Sequence, residues 1–136
     1  MNRRAVLGLS LAVLSAATGS ASSQNFAGEY ADRNFLSGQA TFQMSLEQSG
    51  STVSVWFSAG YNDGRGIQPV ADGTGRVSSK GTVEFSFTDS AHNAGTGTIT
   101  RAGDDLVVSL KMTRVADSRC LELYRQNVRL KHAGKK

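Results

Sequence analysis

Residues 39–59 read QATFQMSLEQSGSTVSVWFSA, and this stretch decides the fold class. Polar and apolar side chains alternate without error over residues 39–47, which is typical of a β-strand with one buried face and one wet face. Gly50 lies in a polar run that favours a turn, and the alternation resumes at Val53, Val55 and Phe57. The stretch therefore predicts a β-hairpin with one apolar face, whose first strand contributes Ala40, Phe42, Met44 and Leu46.

Other strand candidates follow along the chain, at residues 26–30, 70–79, 82–88, 96–100 and 106–113. Val83, Phe85 and Phe87 form the buried side of one of them, and turns rich in Gly, Asp and Asn separate them. Residues 32–38, 60–69 and 89–95 are predicted loops. Gly73 and Gly75 indicate a bulge, a bend or a close approach of two backbones, and Val70 is predicted to be an apolar anchor.

The C-terminal part of the chain allows two interpretations. Residues 120–124 and 127–131 are predicted strands. An amphipathic helix that begins near Ser118 is the alternative, because Leu121, Tyr124 and Val128 also share a helical face. We favour the strands.

About eight short strands with no long helix predict an all-β fold. Strands that follow one another through short turns pair antiparallel, which gives an up-and-down meander. A meander removes its free edges most easily by closing into a small barrel, and a two-sheet β-sandwich is the alternative.

The N-terminal residues have the pattern of a cleaved secretory signal peptide. Arg3 and Arg4 are followed by an apolar run at residues 5–17 and by small residues at 19–23. The apolar run is too short to span a bilayer, and no other apolar stretch of the sequence is long enough to span one. We therefore expect a signal peptide at 1–23, a single β-barrel domain at 24–131, a basic tail at 132–136 and a periplasmic or secreted location.

The charge and the cysteine content narrow the class of protein further. The net charge is +4, and loss of the leader lowers it to about +2, with most of the excess near the C-terminus. Cys120 is the single cysteine, so the domain has no intramolecular disulfide and we expect a buried thiol. The basic end lacks interleaved aromatic residues, and we expect no nucleic-acid partner.

The layout resembles that of calycin-type barrels, the lipocalins and their bacterial relatives. Gly28-Glu29-Tyr30 near the mature start, the meander, and the basic final strand with Val128-Arg129-Leu130 carry this resemblance. Lipocalins usually have Gly-x-Trp where this chain has Tyr30. The resemblance implies a cup for a small apolar ligand, although side chains can also fill so small a barrel. The expected lining is Phe42, Met44, Val55, Phe57, Phe85, Phe87 and Leu110.

Ser58-Ala59-Gly60-Tyr61 loosely resembles the Ser-Gly-x-x-Tyr loop of secreted bacterial lysozyme inhibitors. Those inhibitors are also small β-proteins. The glycine is displaced in this chain and the spacing is shorter. This resemblance implies an inhibitor of a hydrolase.

Catalytic and metal-binding patterns are weak. His92 and Cys120 have no local partner motif for nucleophilic catalysis, and Glu47 and Glu84 lie on wet strand faces by alternation. The Asp-Gly and Asn-Asp-Gly segments are ordinary turn sequences without the ligand spacing of a calcium loop. We expect a protein that is not an enzyme and that has no cofactor and no metal site.

Trp56 breaks the pattern of the hairpin. Val53, Val55 and Phe57 occupy the buried side, which places this large aromatic side chain on the outer face, between two serines. We expect it to form a partner-binding patch with the neighbouring loop 60–69. The predicted patch comprises Trp56, Tyr61, Asp63 and Arg65.

The sequence as a whole predicts an exported binding protein. The expected partner is a small apolar ligand inside the barrel or a protein on the surface formed by Trp56 and residues 60–69. The alternatives are a secreted inhibitor of a hydrolase such as lysozyme, an envelope structural protein, and an enzyme whose site has no recognisable motif.

Overall fold

The computed structural model of the chain describes residues 24–134. The predicted signal peptide and the last two residues of the predicted tail lie outside this part. The described residues form eight strands and one short 3₁₀ helix, η1 (Ser118–Glu122). The strands are β1 (Gly28–Phe35), β2 (Ala40–Ser49), β3 (Thr52–Tyr61), β4 (Val70–Val77), β5 (Val83–Asp89), β6 (Ala94–Ala102), β7 (Asp105–Arg114) and β8 (Val128–Gly134).

The strands form a closed antiparallel barrel in meander order. Each strand pairs with the next one along the chain, and β1 pairs with β8 to close the sheet. The predicted fold class is therefore confirmed, and the sandwich alternative is wrong because a single closed sheet contains all eight strands. The layout is compatible with that of calycin-like barrels.

The hairpin of residues 39–59 corresponds to β2 and β3. Gly50 has a φ of 62° and opens the two-residue turn between the paired residues Ser49 and Thr52. A positive φ at this position suits the right-handed twist of the flanking strands and favours glycine. The alternation predicted for the first strand is confirmed, since its four apolar side chains are buried: Ala40, Phe42, Met44 and Leu46.

The glycines of β4 allow β5 to approach closely. A Cβ atom at Gly73 would lie 1.8 Å from the carbonyl oxygen of Ser86, a distance that no real side chain tolerates. Of the alternatives for Gly73 and Gly75, the close backbone approach is the one found. The register pairs both glycines with the large side chains of β5, Phe87 and Phe85.

Two strand ends and one burial prediction differ from the expected ones. β1 continues to Phe35, through most of the predicted loop 32–38, because residues 28–32 pair with β2 and Phe35 pairs again after an irregularity. β8 continues to Gly134, where it pairs with Glu29 of β1, beyond the expected end at residue 131. Val70 faces outward and is 42% exposed, so its prediction as an apolar anchor was wrong.

The predicted strand at 120–124 was also wrong. A helical turn does begin at Ser118, where the alternative placed the start of an amphipathic helix, but it ends at Glu122 and does not reach Val128, which belongs to β8. Asp117 caps η1 by accepting a hydrogen bond from the Arg119 backbone amide at 3.0 Å. Cys120 and Tyr124 are buried while Leu121 is exposed. A spacing of three to four residues between buried positions suits a helical turn, whereas a strand would bury every second residue.

Candidate binding surface

The seven side chains predicted to line a ligand cup do meet inside the barrel. All of them are buried, with between 0 and 4% of their surface exposed. A residue that lines a void large enough for water would keep exposed surface toward that void. Such complete burial indicates that these side chains fill the interior.

Phe57 lies at the centre of this packing. Its ring stacks on Phe42 at 5.5 Å between centroids and meets Phe87 edge-on at 5.0 Å. Phe85 and Tyr124 make further edge-on contacts with it at 6.4 and 5.7 Å. These are the favoured arrangements of aromatic pairs, each of which adds about 1 kcal/mol beyond the burial of area.

The N-terminal segment closes one end of the barrel. Phe26 is fully buried, and its carbonyl oxygen accepts a hydrogen bond from the Tyr30 hydroxyl at 2.9 Å. The Gln48 side chain accepts from the Phe26 amide at 2.8 Å and donates to the carbonyl of Gln24 at the same distance. The guanidinium of Arg101 covers the Phe26 ring at 5.3 Å. This end of the barrel is therefore plugged by an ordered aromatic side chain.

The segment that contains η1 closes the opposite end. Cys120, Leu123 and Tyr124 are buried there, and the Tyr124 ring packs on Phe87 at 5.6 Å. The carbonyl of Arg125 also accepts a hydrogen bond from the Leu110 amide of β7. The segment thus covers the part of β7 that the shorter strand β8 does not reach.

A buried carboxylate holds this closing segment in place. Asp89 accepts hydrogen bonds from the Tyr124 hydroxyl at 2.6 Å and from the Asn93 side-chain amide at 3.0 Å. It also accepts from the backbone amides of Ala91 and Asn93 at 2.8 and 2.9 Å. The side-chain oxygen of Asn93 in turn accepts from the backbone amides of Ala116 and Asp117. The network therefore joins the β5–β6 loop to the segment before η1.

These contacts shift the ionisation of the buried groups. Burial alone raises the pKa of Asp89, but the hydrogen bonds from Tyr124, Asn93 and Ala91 outweigh it and hold the pKa below the ordinary value of 3.8. Burial and the hydrogen bond to Asp89 raise the pKa of Tyr124 far above its ordinary value. Burial also raises the pKa of the Cys120 thiol. Cys120 is buried as predicted and free, and a buried thiol with a raised pKa is a poor nucleophile.

Trp56 lies on the outer face of the barrel, as its position in the alternation predicts, and is 39% exposed. Ser45 of β2 and Asp72 of β4 lie directly opposite it on the two neighbouring strands. It belongs to a shallow, open groove of about 770 Å³ on the outside of β1–β4. We call this the Trp56 groove; it is lined by Glu29, Ser45, Glu47, Ser54, Val55, Trp56, Asp72, Gly73 and Thr74.

Val70 extends the apolar part of this surface. It pairs with Ser58, two residues along β3 from Trp56, and therefore lies diagonally beside the indole on the same outer face. Diagonal neighbours in antiparallel strands are close enough for an aromatic side chain to reach. Trp56 and Val70 together form an exposed apolar pair beside a carboxylate, Asp72.

The other three residues of the predicted patch form a separate cluster. Tyr61 lies five residues from Trp56 along β3, which is a distance of about 17 Å. The Arg65 guanidinium lies over the Tyr61 ring at 4.4 Å and within 3.6 Å of Asp63. Tyr61 also donates a hydrogen bond to Glu122, which raises the pKa of Tyr61. Tyr61, Asp63 and Arg65 thus come together, but at the end of the barrel that η1 closes.

The segment that resembles the loop of lysozyme inhibitors lies within a strand. Ser58, Ala59, Gly60 and Tyr61 are the last four residues of β3 and pair with β2. The loop begins after them, at Asn62. This segment does not form the loop that the resemblance implies. The inhibitor hypothesis therefore stays a prediction without support from this segment.

The residues considered for catalysis are dispersed. His92 is exposed in the β5–β6 loop, while Glu47 and Glu84 face solvent on β2 and β5, as predicted. Residues 24–134 contain no group of three or more His, Cys, Asp or Glu side chains placed to hold a metal ion. Within the same residues, no helix has the length and apolar character needed to cross a membrane.

Sequence reasoning missed the network of Asp89, Asn93 and Tyr124. Asp89 ends β5, Asn93 lies in the β5–β6 loop and Tyr124 follows η1. Hydrogen bonds between these segments hold them together, and such bonds leave no periodic pattern in the sequence. The segment 89–95 contains Asp, Ser and Asn, which commonly bond nearby backbone amides, and this was the available signal. Nothing in the sequence pointed to Tyr124 as its distant partner.

Comparisons of the chain with protein-family models, with curated proteins and with solved structures found no match. The geometry of the described residues is therefore the basis for the function proposed below.

Proposed function

We propose that this chain is an exported, non-catalytic binding protein that holds its partner on the outer surface of the barrel, at the Trp56 groove. One observation carries the proposal. Trp56 is 39% exposed on the outside of a barrel whose inward side chains are almost completely buried. Tryptophan is the residue that most often dominates the binding energy of protein interfaces.

The packing of the interior favours this surface over the cup that the calycin resemblance implies. A pocket for a small ligand usually has a volume of about 300–1,000 Å³ and is open to solvent at one end. Here Phe26 plugs one end of the barrel, Tyr124 plugs the other, and Phe57 occupies the centre. A ligand inside would first have to displace core side chains. The relationship to calycins is itself a proposal, which rests on the barrel layout.

Export is supported by the signal-peptide pattern of residues 1–23. The fold is compatible with an oxidising compartment, because the single thiol is buried at Cys120 and is not presented for disulfide exchange. The absence of catalysis is proposed because the candidate groups Glu47, Glu84 and His92 are solvent-exposed and lie on separate elements.

A capture experiment tests the proposal. The purified barrel, immobilised through an added C-terminal tag, is incubated with extracts of cell envelope and of culture medium. We expect the wild type to retain a partner and Trp56→Ala to lose it, because the variant removes the aromatic anchor without touching the core. Thr98→Ala, which changes an exposed side chain on the outer face of β6, is the matched control and should retain the partner.

Circular dichroism of each variant shows that the barrel is intact. Capture that is equal in the wild type and in Trp56→Ala contradicts the proposal. Extracts from which the wild type retains nothing also count against it.

A further inference from the structure

The chemical character of the Trp56 groove selects one class of occupant. Three of the described residues that line it carry carboxylates, Glu29, Glu47 and Asp72, and none is a lysine or an arginine. Three more carry hydroxyl groups, Ser45, Ser54 and Thr74. The groove therefore combines an indole face with carboxylate and hydroxyl groups.

Asp72 is the carboxylate placed closest to the indole in the register. It lies directly opposite Trp56 on β4 and is exposed. The ion pairs formed within residues 24–134 do not include it. On the other side of the indole, Ser45 donates a hydrogen bond to Glu29 at 2.8 Å, which orients that carboxylate.

An indole and a carboxylate side by side attract the same kind of group. A cation over the face of a tryptophan is attracted by the negative charge density of the indole ring. A carboxylate beside it adds a charge-assisted hydrogen bond. The long aliphatic stem of a lysine or arginine side chain also suits the exposed Val70, because such stems cover apolar surface while their heads stay in water.

We propose that the occupant of the Trp56 groove is a segment of a partner protein that presents a lysine or arginine side chain to Trp56 and Asp72. The inference rests on the proposed function and adds the charge of the partner. The negative charge of Asp72 is complementary to the positive charge of such a side chain. A neutral glycan also stacks on an indole, but it gains nothing from the charge of Asp72, with which a cation pairs.

The sequence contains one tryptophan, so indole fluorescence reports on this groove alone. Caesium and iodide ions quench indole fluorescence by collision, and acrylamide is a neutral reference. At low ionic strength, caesium should quench Trp56 more strongly than iodide does, relative to free tryptophan. Asp72→Asn should reduce that preference roughly twofold, because it removes one charge beside the indole. Glu84→Gln, on the outer face of β5, is the control and should leave the preference unchanged.

Two peptides test the partner class directly. Tetralysine should shift the emission of Trp56, bind roughly threefold more weakly to Asp72→Asn, and weaken further as salt is added. A serine and glutamine peptide of equal length should not bind. Cellotetraose represents the neutral glycans.

Three outcomes overturn the inference. The first is an equal quenching preference in the wild type and in Asp72→Asn. The second is a shift of emission with cellotetraose and none with tetralysine. The third is a caesium preference that emerges only after removal of Lys135 and Lys136, which would make the chain's own tail the occupant. Each of these leaves the capture experiment and its dependence on Trp56 untouched, so the two proposals fail separately.

Discussion

The Asp89 carboxylate is charged although it is largely buried. The four hydrogen bonds that it accepts offset the free-energy cost of burying its charge. Its partners belong to the two chain segments that close one end of the barrel. Loss of the charge would leave the Tyr124 hydroxyl and the Asn93 amide without their best acceptor. The closed end therefore depends on one ionised group.

Asp89→Asn should lower the free energy of unfolding by about 2 kcal/mol at neutral pH, because a buried charge-assisted network is broken. Urea denaturation of both proteins measures this difference. The pKa of Asp89 lies below 3.8 in the folded state, so the folded protein binds this proton less readily than the unfolded chain does. The contribution of Asp89 is therefore present above pH 3.8 and is lost as the pH falls through the folded pKa.

The gap in stability between the wild type and Asp89→Asn should accordingly narrow in acid. Other carboxylates titrate in both proteins and cancel in the difference. Asp104→Asn, in the exposed β6–β7 turn, is the control and should stay close to the wild type at every pH. A gap of constant size from neutral pH down to pH 2 or so would show that the ionisation of Asp89 does not support the fold.

At this scale the sequence predicts residues by their face in a strand. It placed Trp56 correctly on the outer face, because three flanking apolar residues fixed the register of that strand. It misplaced Val70, since the glycines that follow give β4 no apolar alternation to read. It missed Asp89, which ends β5 and continues the inward positions of Phe85 and Phe87, because the predicted strand stopped at residue 88 and a polar residue at this place favours a loop.

Among the elements, β5 shows how the interior is filled. Phe85 is paired with Gly75 on one side and Gly97 on the other, and Phe87 is paired in the same way with Gly73 and Gly95. Large side chains on one strand thus lie over glycines on both neighbours. Alternation of large and small residues around a narrow barrel gives each ring the space that its neighbours leave.

Gly97→Ala should destabilise the barrel by about 2 kcal/mol, because the core is already full at this point. The new Cβ would lie 2.4 Å from Cζ of Phe85 and 3.0 Å from a methyl carbon of Leu110. Thermal unfolding measures the loss. Thr98→Ala changes the adjacent outward position on the same strand and should cost far less. Equal losses of stability in the two variants would show that the contact between Phe85 and Gly97 does not contribute to the stability of the barrel.

The element that the sequence misjudged is the one without a sheet partner. Residues 106–113 alternate, and they form β7 as predicted. Between residues 115 and 127 the chain crosses the end of the barrel, where burial follows the shape of that opening and not a strand or helix period. A short capped turn that buries Cys120 and Tyr124 fits this opening better than either regular element does.

For the molecule as a whole, the filled interior determines where binding is possible. We expect the wild type to show no affinity for small apolar molecules such as benzene. Phe57→Ala removes the central ring and should create a cavity, at a cost of about 4 kcal/mol in the free energy of unfolding. Apolar cavities of this kind stay dry and take up small apolar ligands.

Benzene should therefore raise the melting temperature of Phe57→Ala and leave that of the wild type unchanged. Phe57→Leu retains most of the volume and serves as the control, with little or no response to benzene. A clear benzene-induced rise in the melting temperature of the wild type would mean that the interior accepts ligands. That result would support the hypothesis of a ligand cup inside the barrel.

The sequence was most informative about the whole architecture. Short alternating strands joined by Gly-, Asp- and Asn-rich turns leave few topologies, and a closed meander is the one without free edges. Whether the barrel is hollow or filled could not be predicted from the sequence, because this depends on the relative positions of four rings: Phe57 on β3, Phe85 and Phe87 on β5, and Tyr124 in the segment after η1. Only the closed barrel and the segment that covers its end bring them together.

The pairing of β1 with β8 has a consequence for how the chain is made. Tyr30 lies opposite His132, so the sheet can close only after β8 has been synthesised. A ribosome releases β1 first, and β1 waits for this partner while the strands between them are made. Until then the loop to be closed spans the whole stretch from β1 to β8, which makes premature closure entropically costly.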